Sequence, residues 1–139
     1  PYNEESKKAA LKDKRLIPEN IEKGKNPTNV WEIGRLNGNS SERVGHPTQK
    51  PIELIRRFVK GLSYEGTVVL DFFAGSGTTG RVCVEENRHS IMVDADASLK
   101  TYFQKHIDKM EAMFAKPYEI IESPSITEFL ELVNKVNKE

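Results

Sequence analysis

Apolar residues recur at helical spacing over one stretch in the middle of the chain. Pro51 precedes this stretch and suits the first turn of a helix, where its missing N–H costs nothing. The spacing predicts a core-facing helix, with an apolar face made of Ile52, Leu54, Ile55, Phe58, Val59 and Leu62. Residues 67–70 follow a turn and are apolar or β-branched without alternation, which is typical of a parallel strand covered on both faces.

Helices and strands continue to alternate toward the C-terminus. The pattern predicts a helix over residues 78–86 and a second strand over residues 89–94. A further helix is predicted from about residue 96 to Pro117. Residues 118–121 predict a third strand. Ser125 and Glu128 have the spacing of a capping box that opens a last helix. This order predicts an α/β fold, part of a doubly wound parallel sheet that binds its ligand at the carboxyl ends of the strands.

The N-terminal third has a weaker pattern. Residues 1–16 predict a helix with a thin apolar stripe, and glycines and prolines interrupt residues 18–47, leaving only residues 29–33 as an extended segment. We therefore expect an irregular segment over residues 1–46 and the α/β part over residues 47–139.

Charge separates the two ends of a chain whose net charge is zero. Residues 1–60 carry an excess of five positive charges and the remaining residues an excess of five negative charges. The basic front could face a polyanion, or it could be ordinary solvated surface. The sequence has no apolar run of the roughly 20 residues that span a bilayer. It has a single cysteine, Cys83, which agrees with a reducing compartment. We therefore expect a cytoplasmic protein. Because the chain does not begin with Met, we expect its first residue to lie inside a longer reading frame or to be left by processing.

A glycine-rich turn carries the clearest chemistry. Gly75, Gly77 and Gly80 form the pattern G-x-G-x-x-G between a predicted strand and a predicted helix, where backbone without Cβ lets a nucleoside cofactor approach the free N–H groups of the helix. Asp94 ends the next predicted strand, where a carboxylate can accept hydrogen bonds from ribose hydroxyls. The alternative is a tight structural turn with an incidental aspartate.

Asp71, directly before this turn, distinguishes between cofactors. A dinucleotide would place its pyrophosphate over the turn, where the carboxylate would repel it. S-Adenosylmethionine has no phosphate and carries a cationic amino group, so Asp71 favours the methyl donor. The alternative is that Asp71 only caps amides of the loop.

Two segments together closely resemble the DNA amino-methyltransferases that modify adenine N6 or cytosine N4. These are Asp-Phe-Phe-Ala-Gly-Ser-Gly-Thr-Thr at 71–79 and Gly-His-Pro-Thr-Gln-Lys-Pro at 45–51; the likeness covers about residues 29–110. It implies a Rossmann-like S-adenosylmethionine-binding half domain over residues 47–139, with residues 1–46 as the end of a target-recognition region. It also implies a set of cofactor-binding residues: Thr48, Gln49 and Lys50 at the methionine carboxylate, Phe73, Gly75, Gly77 and Thr78 around the methionine and sugar, and Asp94 on the ribose.

One part of the family pattern is missing. The Asp-Pro-Pro-Tyr segment that holds the flipped base does not occur in this sequence, so we assign no catalytic residue to this chain and expect no turnover from it alone. The resemblance implies the C-terminal, cofactor-binding part of a restriction-modification enzyme, with adenine N6 as the expected target and cytosine N4 as the alternative. Its partners would be double-stranded DNA, an N-terminal half or partner subunit, and a second copy in a homodimer. DNA contacts are predicted at Arg35, Asn37, Asn39 and Arg43.

Two other functions stay open at the level of sequence. The chain could be a non-catalytic binding or assembly module of a split methyltransferase, or a fragment of a dinucleotide-dependent oxidoreductase. His46 is interpreted as a turn residue and His106 as structural, and no metal site is predicted. Arg56 and Arg57 are interpreted either as phosphate contacts or as the solvated face of a helix.

Overall fold

The computed structural model describes residues 12, 29–110, 118–123 and 125–136, with side chains up to residue 131. The chain divides into two compact units, residues 1–32 and residues 33–139. Apart from residue 12, the helix predicted for residues 1–16 lies outside the described residues. All the helices and strands below belong to the second unit.

Among the described residues, four helices and two strands follow one another in the predicted order, without the third predicted strand. They are α1 (Ile52–Leu62), β1 (Val68–Asp71), α2 (Thr78–Glu85), β2 (His89–Met92), α3 (Leu99–Asp108) and α4 (Ile126–Val136). The two strands are parallel and pair in register from Val68 with His89 to Asp71 with Met92. Because α2 connects two parallel neighbours, the prediction of an α/β fold with a parallel sheet is confirmed.

The core lies around α2, which packs against α1, β2 and α3. Its fully buried residues Val82 and Cys83 meet two residues of α1, Ile52 and Val59. Gly80 permits the close approach of α2 to the sheet, because a Cβ there would lie 2.5 Å from the Met92 sulfur. This packing fixes the N-terminus of α2 relative to the carboxyl ends of both strands.

Ion pairs reinforce the contact between α1 and α2. Arg56 on α1 pairs with Glu85 and Glu86, and Arg57 pairs with Glu53 on its own helix at 2.6 Å. These arginines therefore act within and between helices, in line with the interpretation that they belong to a solvated helix face.

The structure corrects two expectations about the sheet. Residues 118–121 form no strand, and among the described residues the sheet consists of β1 and β2. The interpretation of β1 as covered on both faces is wrong, since Val68 and Leu70 are 58% and 49% exposed. In the described part of the chain, nothing buries the side chains of Val68 and Leu70, and residues 118–121 pair with no strand.

Helix α1 shows the same one-sided burial. Ile52 and Val59 are buried as predicted, whereas Phe58 and Leu62 are 47% and 82% exposed. The helical period was therefore correct, but the apolar face is wider than the surface that covers it. In the described part of the chain, no helix has the length and apolarity needed to cross a membrane.

The capping box before α4 forms in part. The Glu128 N–H donates a hydrogen bond to the Ser125 hydroxyl at 3.2 Å, which satisfies one of the N–H groups left free at a helix start. Phe129 is half-buried, as its predicted inward position requires, but Leu130 is 53% exposed.

Candidate functional site

The glycine turn leaves the end of β1 and leads directly into α2. Gly75 has φ +51° and Gly77 has φ +77°, a left-handed conformation that glycine adopts without the steric cost of a Cβ. Gly77 is the residue immediately before α2. The first N–H groups of this helix therefore lie at the carboxyl end of the sheet, as the sequence pattern predicts.

Asp71 holds the first part of this turn. One carboxylate oxygen accepts a hydrogen bond from the Phe73 N–H at 3.1 Å, and the other accepts one from the Thr79 hydroxyl at 2.5 Å. Asp71 therefore caps an amide of the loop. This capping does not exclude ligand binding, because each carboxylate oxygen can accept a further hydrogen bond.

Asp94 holds the turn from the second strand. Its carboxylate accepts the Gly75 N–H at 2.7 Å and the Asp96 N–H at 2.9 Å. These two hydrogen bonds stabilise the ionised form and keep the pKa of Asp94 below its ordinary value. A charged carboxylate is therefore fixed directly beside Gly75.

The second segment predicted to bind the cofactor is residues 46–51, which we call the HPTQKP segment. Gln49 is buried and stabilises this segment from within: its side chain accepts the Val44 N–H at 2.9 Å and donates to the Glu42 carbonyl at 2.7 Å. The Glu42 carboxylate in turn accepts the Ile52 N–H at the start of α1, at 3.1 Å. Gln49 thus links the HPTQKP segment to the preceding turn.

His46 brings the HPTQKP segment to the glycine turn. Its ring carbon Cε1 lies 3.4 Å from the position that a Cβ on Gly75 would occupy, and its Nδ1 accepts the Thr48 N–H at 3.3 Å. The ring also contacts Tyr102 of α3 edge-on, with centroids 5.2 Å apart. His46 is therefore a turn residue, as interpreted from the sequence, and also a side chain that joins the two segments.

Lys105 of α3 and Lys109, which follows directly after this helix, fix the turn before the HPTQKP segment. Lys105 donates to the Val44 carbonyl at 3.3 Å, and Lys109 donates to the Ser41 carbonyl at 2.9 Å. Hydrogen bonds from a charged donor are stronger than those between neutral groups. Residues 41–44 are therefore held against α3.

A cavity of about 120 Å³ lies between the HPTQKP segment and the glycine turn. Its lining residues include one with a cationic side chain, Lys50, and one with a carboxylate, Asp71, on opposite segments. Six of the nine predicted cofactor residues line it: Thr48, Lys50, Asp71, Phe73, Gly75 and Thr78. The sequence-based prediction thus identified residues that the fold brings together from two separate stretches.

The other three predicted cofactor residues lie outside the cavity lining. Gln49 supports the HPTQKP segment, Asp94 holds Gly75, and Gly77 packs against Phe103 of α3. Five lining residues were not predicted: His46, Ile55, Ala74, Ser76 and Thr79. Four of them lie inside or next to the two recognised segments, so inspecting every position of these segments would have found them. Ile55 carried only a core signal.

A wider groove of about 600 Å³ adjoins this cavity and shares Thr48 and Lys50 with it. Arg35, Asn37 and Arg43, three of the four predicted DNA contacts, line the groove, whereas Asn39 does not. Arg43 also donates to the His46 carbonyl at 3.3 Å. The described residues that line the groove include no Asp or Glu, so its charged side chains are all positive.

Comparison with known proteins places this site in context. The family model N6_N4_Mtase, described as DNA methylase, matches residues 1–105. The chain is 39% identical over 92 residues to the type II methyltransferase M.HpaI of Haemophilus parainfluenzae, covering 66% of this chain and 28% of that protein. It is 36% identical over 92 residues to the DNA adenine methyltransferase YhdJ of Escherichia coli K12, covering 66% and 31%.

A solved structure, the M1.HpyAVI–SAM complex, is 27% identical to this chain with a TM-score of 0.45. The likeness covers 60% of this chain and 43% of that one. The matches to M.HpaI and YhdJ span less than a third of each relative's length.

Proposed function

Because this chain belongs to the N6/N4 DNA methylase family, whose model matches residues 1–105, we propose that it is the cofactor-binding part of a site-specific DNA methyltransferase. The resemblance drawn from residues 45–51 and 71–79 is confirmed at the level of the family. We propose that the complete enzyme methylates adenine N6 in a restriction-modification system in the cytoplasm. The catalytic Asp-Pro-Pro-Tyr segment would come from a part of the protein outside these residues.

The observation that carries the cofactor proposal is the pair of opposite charges in the 120 Å³ cavity. An amino acid has a carboxylate and an ammonium group on one carbon, and Lys50 and Asp71 offer a cation and an anion to these two groups. The cavity is smaller than the roughly 300–1,000 Å³ usual for whole ligands. It therefore suits the methionine end of S-adenosylmethionine, with the nucleoside outside the cavity.

Residues at the rim suit the nucleoside end. The Phe73 side chain is 90% exposed next to the cavity, where an aromatic ring offers a face for stacking. The Asp94 carboxylate already accepts the Gly75 N–H and keeps capacity for a ribose hydroxyl. We therefore retain both residues as proposed cofactor contacts.

S-Adenosylmethionine supplies an electrophilic methyl group, which the exocyclic amine of the base displaces from sulfur. The residues of this chain would contribute by holding the donor in one orientation, because alignment of the reacting atoms accounts for much of such a rate enhancement. A pyrophosphate over the turn would meet the Asp71 carboxylate. This repulsion, together with the family membership, argues against the dinucleotide alternative.

We propose that the 600 Å³ groove contacts the phosphates of DNA. Arg35, Arg43 and Lys50 provide three positive charges along it, and phosphate contacts from such side chains position a duplex without reading its sequence. Because the groove shares Lys50 with the cofactor cavity, DNA held there would lie next to the methyl donor. Asn37 and Asn39 remain proposed contacts from the adjoining turn.

We further propose that the uncovered face of β1 receives the rest of the methyltransferase domain. Val68 and Leu70 on this strand and Phe72 just after it are all about half or more exposed, and an apolar surface of this kind marks a packing site. The occupant would be the N-terminal half, encoded upstream or as a separate subunit. Sedimentation measurements of this chain distinguish this proposal from its alternative. A homodimer formed through the same face would contradict it.

Calorimetric titration with S-adenosylmethionine and S-adenosylhomocysteine tests the cofactor proposal. We expect binding by the 139-residue chain, and Lys50→Ala or Asp71→Asn should each weaken it about tenfold, as expected for losing a hydrogen bond to a charged group. Lys100→Ala and Asp108→Asn are matched controls, because both residues are exposed on α3, outside the residues that line the cavity. If the unmodified chain binds neither ligand, or if the controls weaken binding equally, the proposal is wrong.

Anisotropy measurements with a short labelled duplex test the groove. Arg35→Ala and Arg43→Ala should weaken binding and reduce its salt dependence, since each removes a phosphate contact. Lys100→Ala is again the control. A salt dependence unchanged by both arginine substitutions would remove the groove from the DNA interface.

A further inference from the structure

A buried histidine lies directly behind the cofactor cavity. His106 on α3 has no exposed surface, and its Nε2 lies 3.4 Å from the Thr78 hydroxyl. That hydroxyl lies 2.9 Å from the Ser76 hydroxyl. Ser76 and Thr78 both line the cavity, so a continuous chain of three polar groups runs from the protein interior to the ligand site.

The environment of the imidazole keeps it neutral. Burial, together with the charges of Arg81 and Lys109, lowers the pKa of His106 to about 4. A neutral imidazole has one N–H, on either Nδ1 or Nε2. The position of this single proton therefore determines what the ring can offer to Thr78.

The other ring nitrogen indicates where this proton lies. Among the described residues, Nδ1 of His106 has no hydrogen-bond partner. A buried N–H without an acceptor is costly, whereas placing the proton on Nε2 directs it to the Thr78 oxygen. The arrangement therefore favours the tautomer that carries hydrogen on Nε2.

We infer that His106 is a positioning residue that sets the direction of this hydrogen-bond chain. Its Nε2–H donates to the Thr78 oxygen, and the Thr78 hydroxyl then donates to Ser76. The Ser76 oxygen accepts that bond, which leaves its own O–H to donate into the cavity. Ser76 thus presents a hydrogen-bond donor to an acceptor atom of the ligand. A ligand without an acceptor atom next to Ser76 should bind more weakly.

The inference rests on the proposed function for the identity of the ligand. The direction of the hydrogen bonds from His106 to Ser76 does not depend on that function. Long-range ¹H–¹⁵N spectra of the unmodified chain, recorded without ligand, report the His106 tautomer. We expect the form with hydrogen on Nε2 throughout the neutral pH range. The form with hydrogen on Nδ1 would overturn the inference whether or not the cofactor binds.

Affinity for S-adenosylhomocysteine then tests the effect on the ligand. His106→Leu and Ser76→Ala should each weaken binding about fivefold, as expected for one hydrogen bond. His106→Gln should bind within about twofold of the unmodified chain, because its amide N–H can replace the Nε2 donor. The double variant His106→Leu/Ser76→Ala should bind no more weakly than Ser76→Ala, since both changes remove the same donor.

A control and the remaining outcomes separate this inference from the proposed function. Gln104→Leu changes an exposed side chain on the same helix and should leave the affinity unchanged. Binding by His106→Leu at the unmodified affinity would overturn the inference, as would a folded His106→Gln that binds as weakly as His106→Leu. If His106→Leu does not fold, His106→Gln and Ser76→Ala decide. If the unmodified chain binds no cofactor, the proposed function fails and the tautomer alone decides.

Discussion

Replacement of Gly77 by alanine tests how the start of α2 is held in place. Gly77 has φ +77°, where an L-residue costs about 1–2 kcal/mol. An added Cβ would also lie 3.0 Å from the Phe103 Cβ and 3.1 Å from its Cδ2. Phe103 is buried and its Cβ cannot move without the helix backbone, so overpacking should add about 1–3 kcal/mol.

Gly66 provides a matched control for the backbone term. It has φ +76°, and a Cβ there would meet nothing within 4 Å. Gly66→Ala should therefore lower the free energy of unfolding by about 1–2 kcal/mol. Gly77→Ala should lower it by about 2–5 kcal/mol, because it adds the contact with Phe103 to the same backbone strain.

Urea unfolding followed by far-UV circular dichroism measures both losses. The informative quantity is the difference between the two variants, because their backbone strain cancels. A clearly larger loss for Gly77→Ala supports the tight packing of the glycine turn on α3. Equal losses would refute it and would mean that Phe103 yields to an added methyl group at no cost.

Three further predictions concern other parts of the chain. The pKa of His106 is about 4 in the folded chain and 6.5 in the unfolded chain, so the unfolded state binds more protons between these values and stability should fall as the pH drops through this window. His106→Leu should reduce this pH dependence of stability. An unchanged slope would contradict the conclusion that His106 is buried in its neutral form. Ser125→Ala removes the acceptor of the Glu128 N–H and should destabilise α4 by about 1 kcal/mol; helical content equal to that of the unmodified chain would count against it. Burial raises the pKa of Cys83 to about 11, so iodoacetamide at mildly alkaline pH should label the folded chain far more slowly than the urea-unfolded chain, and equal rates would show that the core around Cys83 opens readily.

The sequence predicted the local elements well where pattern and punctuation agree. For α1, apolar residues at helical spacing follow a proline, and the structure places its first helical residue directly after Pro51. The glycine turn is equally well defined, because a strand, the glycines and a helix start occur within a few residues. These elements depend on short-range forces that the sequence displays directly.

Burial and pairing were less predictable, because they depend on what lies beside an element. Residues 67–70 have the composition of a covered strand, yet Val68 and Leu70 are exposed. Residues 118–121 contain two adjacent isoleucines but form no strand. A strand requires a neighbouring backbone in register, and the apolar pattern of one segment does not report whether that neighbour is present.

Site residues divide in the same way. Lys50 and Asp71 were predicted from separate segments, and the fold brings both to one cavity. The support from Gln49, which makes its hydrogen bonds behind the cavity, could not be deduced from its place in the segment. Nor could the hydrogen-bond chain from His106, since 28 residues separate it from Thr78.

The position of α3 has a consequence for any mutational study of this site. Lys105 of α3 and Lys109 at its C-terminal end hold the turn before the HPTQKP segment, while Phe103 and His106 of α3 support the glycine turn. The spacing between the two sides of the cavity is therefore set by one ten-residue helix. A shift of this helix would displace both sides together, so a substitution that moves it, such as one at the buried Phe103, should alter affinity for both ends of a bound ligand at once.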